Sequence, residues 1–488
     1  MELRFGRTRY SRAFLVITCL LLVGYGLPAM AQEGEVELTP EQQAAMEQAM
    51  ERSFEEEITV TGTLIPRPDE EGLSPVAVMG VEEITFSGLT RIEDLVNQLP
   101  QAYARQTSVK VNGASATATV DLRYLGSVRT LVLLNGKRLP PGDPRGTYAP
   151  DLNNIPAALV KRIDILTGGA SAVYGSDAIA GVVNFIIDQE FEGMRGGITY
   201  SGNWHNNDNA FAQQINLDAG YEPPTGTTWD GNGINLDLAF GGKFADGKGH
   251  ASAYIAYRKL DELTKDARDY TNCSPWATED GAICGGSPTT PQGRFRPRYS
   301  PNYPDRDLAN QQIGDFIVAD NSDLFRDRNA TTDVYNYGPW NHFQRPDERW
   351  NAGAFITYTF TERLEGYMEL HFMDDLSIGQ IAPTGNFNVA PNVNCDNPML
   401  SDQQYDIICV QGGYADDEIA TVSINRRSLE GGPRDWRHAH TNFRLLAGLR
   451  GDLSDQWSYD LYGMHTQMNF LEIGGNDANI TRMQNALD

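Results

Sequence analysis

Beyond Gly193 the chain adopts a two-residue rhythm that suits a β-strand, whose successive side chains point to opposite faces. Ile198, Tyr200 and Trp204 alternate with Thr199, Ser201 and Asn203, and Ile234, Leu236, Leu238 and Phe240 with Asn235 and Asp237. Ala354, Ile356, Tyr358 and Phe360 alternate with Thr357, Thr359 and Thr361, and Leu364, Met368, Leu370 and Phe372 with Glu365, Glu369 and His371. The pattern returns at Leu445, Ala447 and Leu449 between Arg444 and Arg450, and at Trp457, Tyr459 and Leu461 between Ser458 and Asp460. A weaker strand lies near Gly249–Leu260. Such stripes fit a soluble sandwich, where the apolar face is the core, or a transmembrane barrel, where it meets lipid.

Connection lengths separate the two. Short links at Ala245–Lys248, Thr361–Arg363 and Asp452–Gln456 alternate with very long ones near 261–350 and 374–440. Short turns at one rim and long loops at the other are the layout of an outer-membrane barrel. Every long link then follows an odd-numbered strand only if Gln214–Tyr221, which also alternates, belongs to the first outer loop. That leaves about seven strands across residues 193–488.

The start of the chain agrees with export. Arg4, Arg7, Arg9 and Arg12 precede an apolar run, Ala13–Leu27, and then Ala29-Met30-Ala31, so residues 1–31 read as a secretory signal peptide. The run is about 15 residues, short of the roughly 20 that a spanning helix needs. Residues 32–56 are rich in Glu and Gln and poor in large apolar side chains, as in a mobile acidic arm. Acidic residues outnumber basic ones by 65 to 39, which argues against nucleic acid as a partner. Of five cysteines, Cys19 leaves with the signal. Cys273 with Cys284 and Cys395 with Cys409 are close pairs, expected as two local disulfides in an oxidising compartment. Metal ligation is the competing use, but no CxxC and no flanking histidine supports it.

Residues 74–188 have a different, α/β character. Thr90–Leu99 has helical spacing, with Ile92, Leu95, Val96 and Leu99 on one face and Pro100 as a stop. Thr130–Leu134, then Asn135-Gly136, then Lys137–Leu139 predicts a hairpin on a type I′ turn. Ile155–Val160 reads as a short helix, and Arg162–Leu166 and Gly181–Ile187 as strands around a glycine-rich connection. That connection, Gly168-Gly169-Ala170-Ser171-Ala172-Val173-Tyr174-Gly175, lacks the Lys-Ser/Thr of a phosphate-binding loop, and Val173 breaks a nucleophile elbow. Its small residues are expected to let the turn pack closely inside a barrel. His438 and His440 share one strand face, which is two ligands at most, so a surface role is expected and no metal site. No Ser/His/Asp constellation is present to argue for an enzyme, and no cofactor is expected.

Ser87-Gly88 and Asp94–Pro100 resemble the plug domain of TonB-dependent outer-membrane receptors. The resemblance strengthens through DLRYLGSVRTLVLLNGKRL (Asp121–Leu139) and is close at DLNNIPAALVKRIDILTGGASAVYGSDAIAGVVNFI (Asp151–Ile186). It implies an α/β plug domain at 74–188, followed by a transmembrane antiparallel β-barrel in the outer membrane, monomeric and non-enzymatic. Glu57-Ile58-Thr59-Val60-Thr61-Gly62 resembles a TonB box, and Tyr335-Asn336-Tyr337-Gly338-Pro339 a recurring barrel segment. A free β-prone segment can add as a strand to an exposed sheet edge of TonB. The plug motif falls on Asn135, Gly136, Arg162, Asp164, Gly168, Gly169, Ala170, Ser171, Tyr174, Gly175, Asp177, Ala180, Gly181 and Asn184. Of these, Arg162, Asp164, Asp177 and Asn184 are expected to pair with charged residues of the barrel wall.

The implied function is energised import of a scarce or bulky extracellular ligand. Its partners are the TonB complex and outer-membrane lipid. Transmembrane signalling would need another folded domain ahead of the TonB box, and about 25 residues are too few for one. A passive porin or adhesin does not explain the plug. Trp276, Tyr299, Tyr303, Tyr335, Tyr337 and Trp340, set among Asp, Asn and Arg, suit an oligosaccharide cargo or else belong to an interfacial aromatic girdle. Ferric siderophore, haem and cobalamin are the alternatives. Because single-chain barrels normally have an even strand count and plugged ones are large, the barrel is expected to be incomplete at its C-terminus.

Overall fold

The computed structural model describes residues 76–80, 91–96, 99–107, 109–143, 149–168, 170–279, 281–387, 392–454 and 456–485. The segments expected as signal peptide, acidic arm and TonB box lie outside these residues, as does Gly169. Ahead of residue 193 come β1 (Val76–Gly80), β2 (Ala102–Gln106), β3 (Thr119–Leu122), β4 (Thr130–Leu134), β5 (Lys137–Arg138), β6 (Val160–Leu166) and β7 (Gly181–Ile187). Five of them form a mixed sheet in the order β1-β6-β7-β4-β5, parallel only between β4 and β7, while β2 and β3 pair as a separate ribbon.

Asn135 and Gly136 stand at φ 49° and 74°, the left-handed backbone that a type I′ turn requires, and they join β4 to β5. β4 is buried throughout and β7 nearly so, as continuous apolar runs covered on both faces should be. Val132, Leu134, Ile163, Ile165, Val183 and Phe185 pack on one side with Ile92 and Val96 of the helix Ile92–Val96. Leu131, Leu133, Leu166 and Val182 pack on the other with Ala170 and Ala178. Each such side chain contributes about 1.5–3 kcal/mol on full burial. The helix expected over Ile155–Val160 is a single 3₁₀ turn, Ala157–Leu159, because Val160 already pairs with Ile187 in the sheet.

In the strands that follow, the buried face is the polar one. β8 (Gly193–Asn207), β9 (Gly226–Phe244), β10 (Gly249–Leu260), β11 (Asp347–Thr361), β12 (Leu364–Ile381), β13 (Arg434–Ser454) and β14 (Trp457–Gly475) form one antiparallel sheet. Each strand pairs with its sequence neighbour, and β8 and β14 are the outer strands. Along β13, His438, His440, Asn442 and Arg444 are at most 4% exposed, whereas Phe443, Leu445 and Leu449 are 43–48% exposed. β9 repeats this, with Ile234, Leu236, Leu238 and Phe240 exposed and Asn235 and Asp237 half-buried. A soluble sandwich would invert the pattern; charges inside and apolar side chains outside are how a barrel wall meets lipid. His438 and His440 therefore face inward rather than occupying a surface position. Among the described residues no helix is long and apolar enough to cross a membrane.

The outer connections differ from their expected bounds. β11 begins at Asp347, β12 runs to Ile381 and β13 begins at Arg434, so the two longest connections are 261–346 and 382–433. The strand ends escaped notice because their inward positions, such as Asp375, Ser377 and His438, are polar and look like loop. Gln214–Tyr221 is not a strand: helix Ala210–Asp218 occupies the first connection, with the Asn209 side chain accepting from Ala212 N at its start. The two longest connections co-fold into a five-stranded sheet. Its order is Phe325–Asp327, Phe316–Val318, Arg294–Pro297, Ile419–Asn425, Asn392–Asn394. Phe325, Val393, Ile408, Ala420 and Val422 form its core with Cys395 and Cys409, which are disulfide-bonded. The second expected disulfide is absent: Cys273 and Cys284 are buried thiols packed with Ile215. Cys284 stands opposite Pro275, two places off Cys273 in the hairpin register. The two thiols nevertheless lie in side-chain hydrogen-bonding contact with each other.

Candidate functional site

The functional question is how the plug sits against the polar face of the wall. Plug and wall belong to one unit, Val60–Asp488. Asp151 precedes the 3₁₀ turn Leu152–Asn154, and its Oδ1 accepts from Asn153 N (3.0 Å) and from Ala118 N across the plug (2.8 Å). That clamp presents Asn153 to β11. Arg349 Nη1 donates to Asn153 Oδ1, and Asn351 Nδ2 donates to Asn153 O at 2.8 Å.

Arg349 is fixed from behind by the wall itself. Its Nε donates to Asp375 Oδ1 of β12 (2.9 Å) and its Nη2 lies 3.4 Å from Asp347 Oδ2. Arg258 of β10 forks onto Asp347 (2.5 and 3.3 Å), and His440 Nδ1 lies 3.7 Å from Asp375 Oδ2. Two guanidiniums and two carboxylates thus balance inside the wall, which is the condition for burying such charges without a large desolvation penalty. Burial pushes the Asp151 carboxyl up to about 6, against the pull of His440 and Arg349.

Further contacts extend the seat. Arg345 bridges Ser377 Oγ (3.1 Å) and the Thr107 carbonyl (2.9 Å). Gln189 Nε2 donates to Glu369 Oε1 (3.2 Å), whose other oxygen pairs with Arg444 (2.6 Å). Lys137, on the plug hairpin, reaches Asp460 and lies over the Tyr462 ring at 4.1 Å. The interface also has an apolar part, since Ala239, Tyr254 and Phe355 of the wall join the plug core. Cavities lie along it, among them one of about 70 Å³ beside Asn153 and Tyr254 and one of about 210 Å³ between Asp94 and Asn203, and these two share Asn235 and Arg258 in their linings. Spaces of that size and polarity suit water.

Several plug-motif residues make contacts inside the plug. Arg162 donates to Asp164 (3.0 Å), and Asp177 pairs with Arg138, so both contacts stay within the plug. Asn184 Oδ1 accepts from Gly136 N (3.0 Å), and Asn135 Oδ1 accepts from Ile187 N (2.8 Å), which ties the hairpin to β7. Ala180 and Gly181 are buried at the start of β7, with Gly181 against the Leu166 carbonyl. Ala170 is buried, but Ser171, Ala172, Val173 and Gly175 are exposed, and the Tyr174 carbonyl accepts from Arg138. Sequence reasoning missed Asn153, Arg258, Asp347, Arg349, Asn351 and Asp375. The available signal was the Asn153-Asn154 pair beside a strand start, Asp347-Glu348-Arg349, too polar to be read as strand. Among the described residues no group of three or more His, Cys, Asp or Glu could hold a metal ion.

Residues 68–182 match the model of the TonB-dependent receptor plug domain. Among solved structures the chain is similar to the ferric enterobactin receptor of Pseudomonas aeruginosa in complex with enterobactin, at 14% identity over 82% of this chain and 42% of that one, TM-score 0.44. It is also similar to the siderophore receptor PirA of Acinetobacter baumannii, at 13% identity over 81% and 48%, TM-score 0.35. A third is FpvA of P. aeruginosa bound to heterologous pyoverdines, at 12% identity over 84% and 44%, TM-score 0.38. The chain spans less than half the length of each of these three. Residues 68–182 are therefore matched to the plug domain of TonB-dependent receptors, and a seven-stranded antiparallel sheet follows them.

Proposed function

We propose that the chain acts in energised import, capturing a scarce or bulky ligand at its outer loops and passing it to the periplasm when the plug shifts in its seat. The observation that carries this is the polar seat itself. Groups such as Asn153, Arg349 and Asn351 trade hydrogen bonds with each other for hydrogen bonds with water when they part, so the net loss is about 0.5–1.5 kcal/mol for a neutral pair and about 1.5–3 kcal/mol for the bond from the Arg349 guanidinium. A plug held mainly by a dry apolar surface would resist such a shift. Force enters through Glu57, Ile58, Thr59, Val60, Thr61 and Gly62, which add as a strand to TonB.

The cargo proposal stays with an oligosaccharide, on Trp276, exposed on the hairpin Ser274–Thr278/Gly281–Gly285, and on the Tyr299–Tyr303 ring pair at 4.6 Å. Tyr335 contributes less, because Arg427 already covers its ring at 4.9 Å. Val60→Pro tests the import reading, since proline removes an N–H and stiffens the segment. Uptake should fall about tenfold or more while surface binding of ligand persists. Unchanged uptake would reject the proposed coupling.

A further inference from the structure

The outer-loop sheet has one apolar face and one arginine face. Side chains alternate along the segment 294–298, so Arg294, Arg296 and Arg298 lie together while Phe295 turns to the core. Arg294 stands opposite Ile317, which stands opposite Arg326, and on its other side opposite Asn425; Arg296 stands opposite Ser423. Opposed residues share a face, and Arg328 joins them by reaching Asp315.

Charge on this face is lopsided. Arg294 forks onto Asp315 (2.6 and 2.6 Å), with Arg328 on the same carboxylate at 3.8 Å, and Arg326 forks onto Asp333 (2.6 and 2.7 Å). Arg296 donates to Ser423 Oγ (2.9 Å) and Asn425 Oδ1 (3.4 Å), and Arg298 to the Asn310 carbonyl (2.8 Å). Arg328 Nε has no hydrogen-bond partner among the described residues, on a side chain only 6% exposed. Burial, helped by repulsion from Arg294, Arg298 and Arg328, pulls the Arg296 guanidinium below the usual arginine range. This positive face sits in a chain of net charge −26, so a negative ligand is repelled elsewhere and drawn here.

We infer that the arginine face is a subsite for a ligand bearing at least two anionic oxygens, set about 7 Å apart to match alternate residues of the strand. Carboxylates of an acidic oligosaccharide and the chelating oxygens of a ferric catecholate share that chemistry, and guanidinium forks suit both. The inference rests on reading the outer loops as the capture surface.

The test uses the whole receptor in detergent and three probes: a uronate trisaccharide, its carboxyl-reduced neutral counterpart, and a ferric tris-catecholate. Calorimetry should show at least one anionic probe binding, more weakly as salt rises, with the neutral sugar at least tenfold weaker. Arg296→Gln with Arg298→Gln should weaken the anionic probe about tenfold or more. Arg298→Glu alone, on an exposed side chain, should do so without disturbing the fold, and Arg298→Lys should retain most of the affinity. Which anionic probe binds tells the two sources apart. No binding of either anionic probe, equal binding of the neutral sugar, or an unaffected double variant overturns the inference. Uptake into cells with and without Val60→Pro separates it from the import reading. Anion binding without energised uptake would sink import alone, and energised uptake of only the neutral sugar would sink the arginine subsite alone.

Discussion

Asp151 holds two backbone N–H groups on one carboxylate oxygen while enclosed between plug and wall, and burial lifts its pKa to about 6. That value lies above the ordinary 3.8, so folding takes up a proton. The contribution is full in acid, below about 4, and is lost as the pH rises through about 6. Asp151→Asn keeps an oxygen that can accept both bonds and removes the titration. The wild type should therefore lose about 3 kcal/mol of plug stability, relative to this variant, between pH 4 and 7. Hydrogen exchange of plug amides across that range measures it, and parallel pH curves for the two proteins would refute the assignment. Gly181 makes a second residue-scale case. Its φ is +142°, and an added Cβ would stand 2.2 Å from the Leu166 carbonyl oxygen. Gly181→Ala should destabilise the plug by about 2–4 kcal/mol, seen as faster proteolysis around β7. An unchanged cleavage rate would show that β7 has more room than its contacts imply.

Individual elements of the wall are inside-out, and this has an energetic signature. On β13, Leu445 is exposed between inward-facing Arg444 and Leu446. Leu445→Arg should cost about 2–4 kcal/mol if this face meets the bilayer midplane. Urea titration in liposomes decides it, and a change under about 0.5 kcal/mol would mean the face does not meet lipid. The alternation of β9 and β13 was legible because each inward position is polar and each outward one apolar. The loop sheet was not, because short strands such as Arg294–Pro297 and Ile419–Asn425 pair across about 130 residues of sequence. Cysteines divide in the same way. Non-reducing peptide mapping should recover Cys395 linked to Cys409 and label Cys273 and Cys284 as thiols. A Cys273–Cys284 peptide would show that these two adjacent thiols are oxidised to a second bridge.

For the whole molecule, Arg162, Asn135 and Asn184 make contacts that serve the plug's own architecture, while Asn153 and Lys137 meet the wall. Asn135 and Gly136 were legible because a positive-φ turn demands particular residue types. The seat was not, because Asn153 with Arg349 and Asn351 meet only after about 200 residues of chain have folded between them. The most direct test of the account is to tie the plug to its seat. Asn153→Cys with Asn351→Cys in the whole receptor replaces a hydrogen-bonded contact by a reducible cross-link. Ligand uptake by cells should stop when the pair is oxidised, with surface binding intact, and should return on reduction. Uptake that continues at the wild-type rate with the cross-link demonstrably formed would contradict the claim that the plug must shift at this seat for ligand to pass.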